Sequence, residues 1–113
     1  NNYRDLKVWQ MAMTLTEAIY RATESFPSRE TYALANQLQR AAVSIPSNIA
    51  EGHARSSTKD YLRFVSISQG SLAEAETQLE LAHRLGYIPE AVLHGLFEQT
   101  NEIGRMLHGL EAR

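Results

Sequence analysis

The stretch from residue 34 to residue 52, LANQLQRAAVSIPSNIAEG, decides the fold class. Its apolar residues recur every three or four positions, which is the spacing of one face of an α-helix. Pro46 lies inside this pattern, where it removes one backbone donor and crowds the carbonyl of Ala42, four residues earlier. Because Ile45 and Ile49 keep the helical spacing on both sides of the proline, we expect a kink here and not a helix end. The apolar face consists of Leu34, Leu38, Ala41, Ala42, Ile45 and Ile49.

Helical spacing continues through the rest of the chain, and three short breaks interrupt it. Between the breaks the pattern predicts helices over residues 5–25, 29–51, 57–85 and 89–111. No segment alternates with a period of two, so we predict no strand. Long helices joined by short connections favour an all-α fold, an antiparallel up-down-up-down four-helix bundle.

The predicted helix ends rest on local signals. Asp5 is a plausible N-cap of the first helix, and Pro27 ends that helix because a proline pushes the residue before it out of the helical region. Gly52 suits the position that follows the second helix. Ser57, with Asp60 three residues later, resembles a capping box at the start of the third.

Composition limits the classes of protein. The chain has 113 residues and a formal net charge of −2, so we expect one domain over residues 1–113 and exclude a uniformly basic nucleic-acid coat. It contains no Cys, which excludes disulfides and thiolate metal sites. No apolar run is long enough to span a membrane and the first residues do not resemble a signal sequence, so we expect a cytoplasmic protein.

The first and fourth helices each carry two adjacent apolar rows, a wider face than the core of an isolated bundle requires. One hypothesis is that one row fills the core and the other meets a second subunit. The alternative is a broad core face in a small monomer. The rows of the first helix are Leu6, Trp9, Met13, Thr16 and Tyr20, and Val8, Ala12, Leu15, Ile19 and Ala22. Those of the fourth are Val92, Leu96, Gln99, Ile103, Met106 and Leu110, and Leu93, Phe97, Thr100 and Leu107.

Several short motifs occur together along the chain. Residues 44–52 read Ser-Ile-Pro-Ser-Asn-Ile-Ala-Glu-Gly, and residues 5–9 read Asp-Leu-Lys-Val-Trp. Gly-Ser-Leu-Ala-Glu follows at 70–74 and Leu-Gly-Tyr at 85–87. In this combination the chain resembles the four-helix bundle family named for the 23S rRNA-intervening sequence protein, in register from Asp5 to Tyr87.

The resemblance implies a bundle that assembles into a ring-like homopentamer. The family name comes from genes inside insertions in bacterial 23S rRNA genes, and the biochemical role of its members is not established. A similar bundle is the accessory protein of diversity-generating retroelements, in which a basic pentamer engages nucleic acid and a reverse transcriptase. The present chain differs from that protein in its net charge of −2.

A polar row flanks the apolar face of the second helix and coincides with the motif residues. Arg40, Ser44, Asn48 and Glu51 follow one another at spacings of four, four and three. If the second and third helices pack antiparallel, Glu74 can pair with Arg40. We interpret the motif residues as a hydrogen-bonded network that fixes packing, with a site in the assembly as the alternative. The network comprises Arg40, Asn48, Glu51, Ser71 and Glu74, with Pro46 as a kink and Gly70 as a place of close helix packing.

A second candidate site is basic. His53, Arg55, Lys59 and Arg63 precede or open the third helix, with Asp60 as the only acidic residue between them. Unpaired backbone N–H groups at a helix N-terminus favour anions, so the set suits a nucleic-acid phosphate. The alternative is a solvated charged turn paired with nearby carboxylates. No basic strand interleaved with aromatic residues is present, so any contact is expected to be with the RNA or DNA backbone and poorly sequence-specific.

The sequence shows no catalytic set. Glu80 and His83 form one Glu-x-x-His unit, whereas a di-iron bundle needs two such units and two further carboxylates. No nucleophile elbow or Gly-rich phosphate loop occurs. We therefore predict no enzyme, no cofactor, no metal and no small-molecule substrate. The function predicted is that of a homo-oligomeric interaction module associated with nucleic acid, and the alternative is a protein-binding scaffold without nucleic acid.

Overall fold

The computed structural model describes residues 2–111, and within them it contains four α-helices and no strand. The helices are α1 (Lys7–Thr23), α2 (Leu34–His53), α3 (Thr58–Arg84) and α4 (Glu90–Glu111). Two short 3-10 helices, Tyr3–Asp5 and Ser28–Glu30, precede α1 and α2. The prediction of an all-α fold with four helices is therefore confirmed.

Hydrogen bonds between neighbouring helices define their register. Between α1 and α2 they join Thr16 to Ala42 and Thr23 to Gln39, so residue numbers rise along one helix as they fall along the other. Between α2 and α3 the pairs are Ile45 with Ser68, Ser44 with Ser71, and Gln37 with Gln78. These registers are compatible with the predicted antiparallel up-down arrangement.

One apolar core forms between the four helices. In α1 the row containing Leu15 and Ile19 is buried except for the half-buried Ala22, whereas Met13 and Tyr20 of the other row are exposed. In α4 both rows contribute buried side chains to the core while Val92 is exposed, which favours the alternative of a broad core face for that helix. The largest fully buried side chains are Leu15, Ile19, Leu38, Ile45, Leu79, Ile103, Leu107, Thr100 and Ser68.

The start of α2 differs from the prediction, because the helix begins at Leu34 and not at residue 29. After Pro27 the chain forms a 3-10 turn, and Ala33 has φ −123° and ψ −109°, which is not helical. The carboxylate of Glu30 accepts the backbone N–H of Leu34 at 3.2 Å. The side chain of Glu30 thus satisfies one of the N–H groups that a helix start leaves unpaired.

Two other helix ends also differ from the prediction, and one is confirmed. Asp5 belongs to the first 3-10 helix, and Leu6 is the residue that precedes α1. Gly52 does not follow α2 but lies buried within it. The hydroxyl of Ser57 accepts the backbone N–H of Asp60 at 3.1 Å, so the predicted cap of α3 is confirmed.

Candidate functional site

The turn between α2 and α3 holds two arginines against one aromatic ring. The guanidinium carbon of Arg55 lies 4.8 Å from the centroid of the Phe64 ring, and that of Arg63 lies 4.7 Å from it. Phe64 is only 6% exposed, so the ring is fixed in place. A cation over a ring face is held by the ring's quadrupole. The fold therefore brings together two of the four basic residues that the sequence singled out.

Three further ionisable residues, Glu51, Lys59 and His53, lie in or beside this turn. Arg55 also forms an ion pair with Glu51, at 3.5 Å. Lys59 is exposed one helical turn before Arg63, close to the N-terminus of α3. His53 is half-buried in the last turn of α2, and it has a polar or electrostatic partner. The cluster of these four basic residues is called the basic turn below.

A polar groove lies between α2 and α3 on the side of the predicted network, with a volume of about 400 Å³. At its base the hydroxyl of Ser71 donates to the hydroxyl of Ser44 at 2.7 Å. The amide of Asn48 donates to the carbonyl and the hydroxyl oxygen of Ser44, at 2.8 and 2.9 Å. Ser44 therefore links two members of the predicted network across the helix pair. The groove is lined by Asn36, Gln37, Arg40, Ala41, Ser44, Ser71 and Glu74.

Arg40 and Glu74 stand at the edge of this groove, and both side chains are exposed. Among residues 2–111 no ion pair joins them, and Glu51 is paired with Arg55 instead. The predicted pairing of Arg40 with Glu74 is therefore not made within one chain. One guanidinium and one carboxylate are left facing solvent on the same side of the molecule.

Gln78 is a buried polar residue that the sequence analysis missed. It is 9% exposed, and its amide nitrogen lies 3.5 Å from the amide oxygen of Gln37. Its own oxygen, Oε1, is buried without a hydrogen-bond partner among the described residues. A buried acceptor without a donor costs free energy. In the sequence Gln78 follows Ser71 and Glu74 at helical spacing, which places it on the same side of α3 as these two polar residues.

Pro46 and Gly70 differ in what surrounds them. The helix α2 continues through Pro46, which is buried. At Gly70 no heavy atom of the described chain lies within 4 Å of the place a Cβ would occupy, so the close helix packing predicted there does not occur within the protomer. Close approaches occur instead at Gly52, beside Phe64, and at Gly104, beside Leu72.

The outer surface between α1 and α2 is apolar. A groove of about 350 Å³ runs along it, and none of the residues that line it is charged. The ring of Trp9 packs edge-on against that of Tyr3, with 5.3 Å between centroids. Met13 and Val43 are 39% and 41% exposed beside it. Trp9, Met13 and Thr16 of this groove belong to one of the two apolar rows of α1, whereas the sequence left open which row is the outer one.

Glu80 and His83 of the Glu-x-x-His unit contact separate groups. Glu80 forms an ion pair with Arg84, and His83 Nδ1 lies 3.0 Å from the carbonyl oxygen of Ile88. Within the described part of the chain no three His, Cys, Asp or Glu side chains lie close enough together to hold a metal ion. In that same part no helix combines the length and the apolar character that a membrane crossing demands.

Comparison with known proteins gives one family and a structural neighbour. The sequence model of the 23S rRNA-intervening sequence protein matches residues 4–109. A 1.70 Å crystal structure of a protein from Bacteroides thetaiotaomicron VPI-5482, described as being of unknown function and from the S23 ribosomal protein family, superposes with a TM-score of 0.82. The two chains share 23% identity over 91% of this chain and 96% of that one, a likeness that concerns the fold alone. No curated protein matches the chain.

Proposed function

The chain belongs to the 23S rRNA-intervening sequence protein family, and on that premise we propose that it is a non-enzymatic, homo-oligomeric helical bundle that contacts the phosphate backbone of RNA or DNA through its basic turn. Its copies associate as antiparallel up-down bundles in a ring, for which the family resemblance favours five subunits. The proposal places the protein in the cytoplasm. It assigns no catalysis, cofactor, membrane or small-molecule substrate to the chain.

The contact of Arg55 and Arg63 with Phe64 is the observation that carries the nucleic-acid part of the proposal. Two guanidinium groups held on one buried ring lose less conformational freedom on binding than two free side chains do. Arginine offers several N–H donors in a planar fork that matches phosphate oxygens. Lys59 and those N–H groups at the start of α3 that Ser57 does not cap add positive potential at the same place.

An oligomer multiplies this weak contact. Each subunit of a ring repeats the basic turn. Once one subunit is bound, the effective concentration of phosphate near the other subunits is high, so their weak contacts strengthen the overall binding. Phosphate contacts position a protein without reading base sequence. The expected binding is therefore tolerant of sequence and strongly dependent on salt.

A salt titration tests the nucleic-acid part. Retardation of a structured RNA hairpin and of a DNA duplex is measured from low to physiological salt, and we expect the affinity to fall linearly on a log–log scale. Arg63→Gln is expected to weaken binding and to flatten the slope. Arg84→Gln is the matched control, because Arg84 is exposed at the opposite end of α3 and pairs with Glu80. Absence of retardation at low salt for the wild type contradicts this part.

The oligomeric part is supported by the apolar outer surface of α1 and α2, since large exposed apolar patches mark association sites. Sedimentation velocity and native mass measurement test it directly. We expect an oligomer at micromolar concentration, with five copies as the favoured mass. A monomer at that concentration contradicts it.

A protein-binding scaffold without nucleic acid is the second candidate. It is favoured by the net charge of −2 and by the end of the bundle opposite the basic turn. That end carries slightly more carboxylates than arginines, and the excess of negative charge disfavours a phosphate backbone. The carboxylates are Glu24, Glu30, Glu80 and Glu90, and the arginines are Arg21, Arg29 and Arg84. The same salt titration separates the two candidates.

A further inference from the structure

The outer surface of α3 is almost free of charge in its middle. Between Arg63 and Glu80 the exposed positions carry one charged residue, Glu74. The outer face of a surface helix is normally charged or polar. Here Ile67, near the start of this surface, and Leu81, just beyond it, are 38% and 45% exposed. The exposed positions are Ser66, Ile67, Gly70, Ala73, Glu74 and Thr77.

Gly70 in this surface is not explained by packing within the chain. A glycine in the interior of a helix costs about 1 kcal/mol relative to alanine. No described atom approaches the position of its missing Cβ, so the protomer gains no close contact from it. Gly95 and Gly109 in α4 are equally open, but ionisable side chains such as His94 and His108 flank them. Gly70 instead lies in an uncharged surface that another helix can approach.

A second surface lies on the other side of α2, where the groove has no charged lining residue and Glu17 is exposed at the edge, and it differs in shape. It presents large side chains, Trp9, Met13, Tyr20 and Val43, beside the apolar groove. We call it the α1–α2 face, and we call the surface of Ile67, Gly70, Ala73 and Leu81 the α3 face. The α1–α2 face presents bulky side chains, whereas the α3 face has the small residues Gly70 and Ala73 at its centre. The two faces are therefore complementary in shape.

Charge supports the same pairing. Arg40 stands on α2 three residues before Val43 and thus borders the α1–α2 face, whereas Glu74 lies beside the α3 face. Both are exposed, and neither forms an ion pair among the described residues. Arg40 and Glu74 line one groove in a chain without forming an ion pair, and apposition of the two faces brings Arg40 of one copy to the same interface as Glu74 of the next.

We infer that the α1–α2 face of one copy docks on the α3 face of the next, in a head-to-tail interface between identical chains. The inference rests on the proposed homo-oligomer and specifies its interface. Two different patches on one chain produce a ring or an open filament, whereas a two-fold dimer uses one patch twice. Here each subunit uses both faces, one for each neighbour.

Two single variants block one face each. Met13→Glu places a charge in the α1–α2 face, and Ala73→Glu places one in the α3 face. Both positions are exposed, so we expect each variant to keep its helix content by circular dichroism while it sediments as a monomer, and its melting temperature to fall only by the contribution of assembly. The matched controls are Thr14→Glu in α1 and Ala91→Glu in α4, which lie outside both faces and are expected to remain oligomeric.

Mixing the two variants tests the head-to-tail arrangement. The Met13→Glu chain keeps an intact α3 face, and the Ala73→Glu chain keeps an intact α1–α2 face, so an equimolar mixture is expected to form a dimer of one chain of each and nothing larger. Trp9 is the only tryptophan, and its emission in the Ala73→Glu chain should shift to shorter wavelength on titration with a Met13→Glu chain that carries Trp9→Phe.

The outcomes distinguish the two proposals. A monomeric wild type contradicts the oligomer itself, and with it the interface. An oligomeric wild type whose variants stay oligomeric contradicts the choice of faces. Monomeric variants whose mixture stays monomeric contradict the head-to-tail pairing.

Discussion

The hydroxyl of Thr16 in α1 lies 3.1 Å from the carbonyl oxygen of Ala42 in α2, the carbonyl that Pro46 leaves without its helical donor. The same hydroxyl lies 2.8 Å from the carbonyl of Ala12, which already accepts a backbone N–H within α1. Ala42 is fully buried, so its carbonyl has no access to water. The Thr16 hydroxyl, whose single proton is shared with the Ala12 carbonyl, is thus the donor that the neighbouring helix offers to the carbonyl freed by the proline.

Thr16→Val is expected to destabilise the protein by about 1–3 kcal/mol, because it removes the donor and leaves a buried acceptor unpaired. Thr16→Ser should retain most of the stability. In a Pro46→Ala background residue 46 regains its N–H, so the cost of Thr16→Val should shrink. Urea denaturation of the four variants of this cycle measures the coupling, and an equal cost in both backgrounds contradicts the role given to Thr16.

Gly52→Ala is expected to destabilise the turn between α2 and α3. A Cβ there lies 2.9 Å from the Cβ of Phe64, which forces the two helices apart. Overpacking costs about 1–3 kcal/mol, and this outweighs the roughly 1 kcal/mol that alanine gains as a better helix former. Gly95→Ala is the control, because open space surrounds that position, and it should stabilise the protein. Thermal melting of both variants gives the comparison.

Signals that act within one helix were sufficient to predict the helix types and the cap of α3. The side chain of Ser57 contacts a backbone group three residues away, so its role depends on no other element. The continuation of α2 through Pro46 also follows from the spacing of Ile45 and Ile49. These features are set by helix geometry alone, which the sequence pattern contains.

Features that depend on contacts between helices were not predictable from the pattern. Gly52 was predicted to follow α2, because the sequence pattern does not show that Phe64 of the next helix packs closely against this position. Phe64 fits the apolar spacing of α3, and nothing in that spacing indicates that its ring also holds Arg55 and Arg63. Which exposed apolar row of α1 remains uncovered is likewise decided by the placement of α2 beside it.

The connections at one end of the bundle are joined by Glu30 and Tyr87, whose hydroxyl donates to the carboxylate at 2.7 Å. This hydrogen bond holds the pKa of Glu30 below its usual 4.5, with the N–H of Leu34 acting in the same direction. It also raises the pKa of the Tyr87 hydroxyl above its usual 10.0. The bond therefore links folding stability to pH at both extremes.

Tyr87→Phe removes this hydrogen bond, and we expect the resulting decrease in melting temperature to depend on pH. The stabilisation is fully present above the usual pKa of Glu30 and disappears as pH falls through the lowered value. On the alkaline side it is present below the usual pKa of Tyr87 and disappears as pH rises through the raised value. The difference in melting temperature between wild type and variant should be flat near neutral pH and shrink in acid and in base. A difference that stays constant from acid to neutral pH contradicts the assignment.

Arg40→Ala is expected to leave the stability of the protomer unchanged within about 0.5 kcal/mol, the range of surface substitutions without specific contacts. The side chain is exposed and has no ion pair with Glu74 in the described chain. Ser44→Ala and Ser71→Ala, which break the hydroxyl pair at the base of the groove, should each lower stability. Urea denaturation in a monomeric background such as Met13→Glu separates this effect from assembly. A large loss for Arg40→Ala in that background places the residue in the packing network, whereas unchanged unfolding together with weaker association of the otherwise wild-type chain places it at the interface.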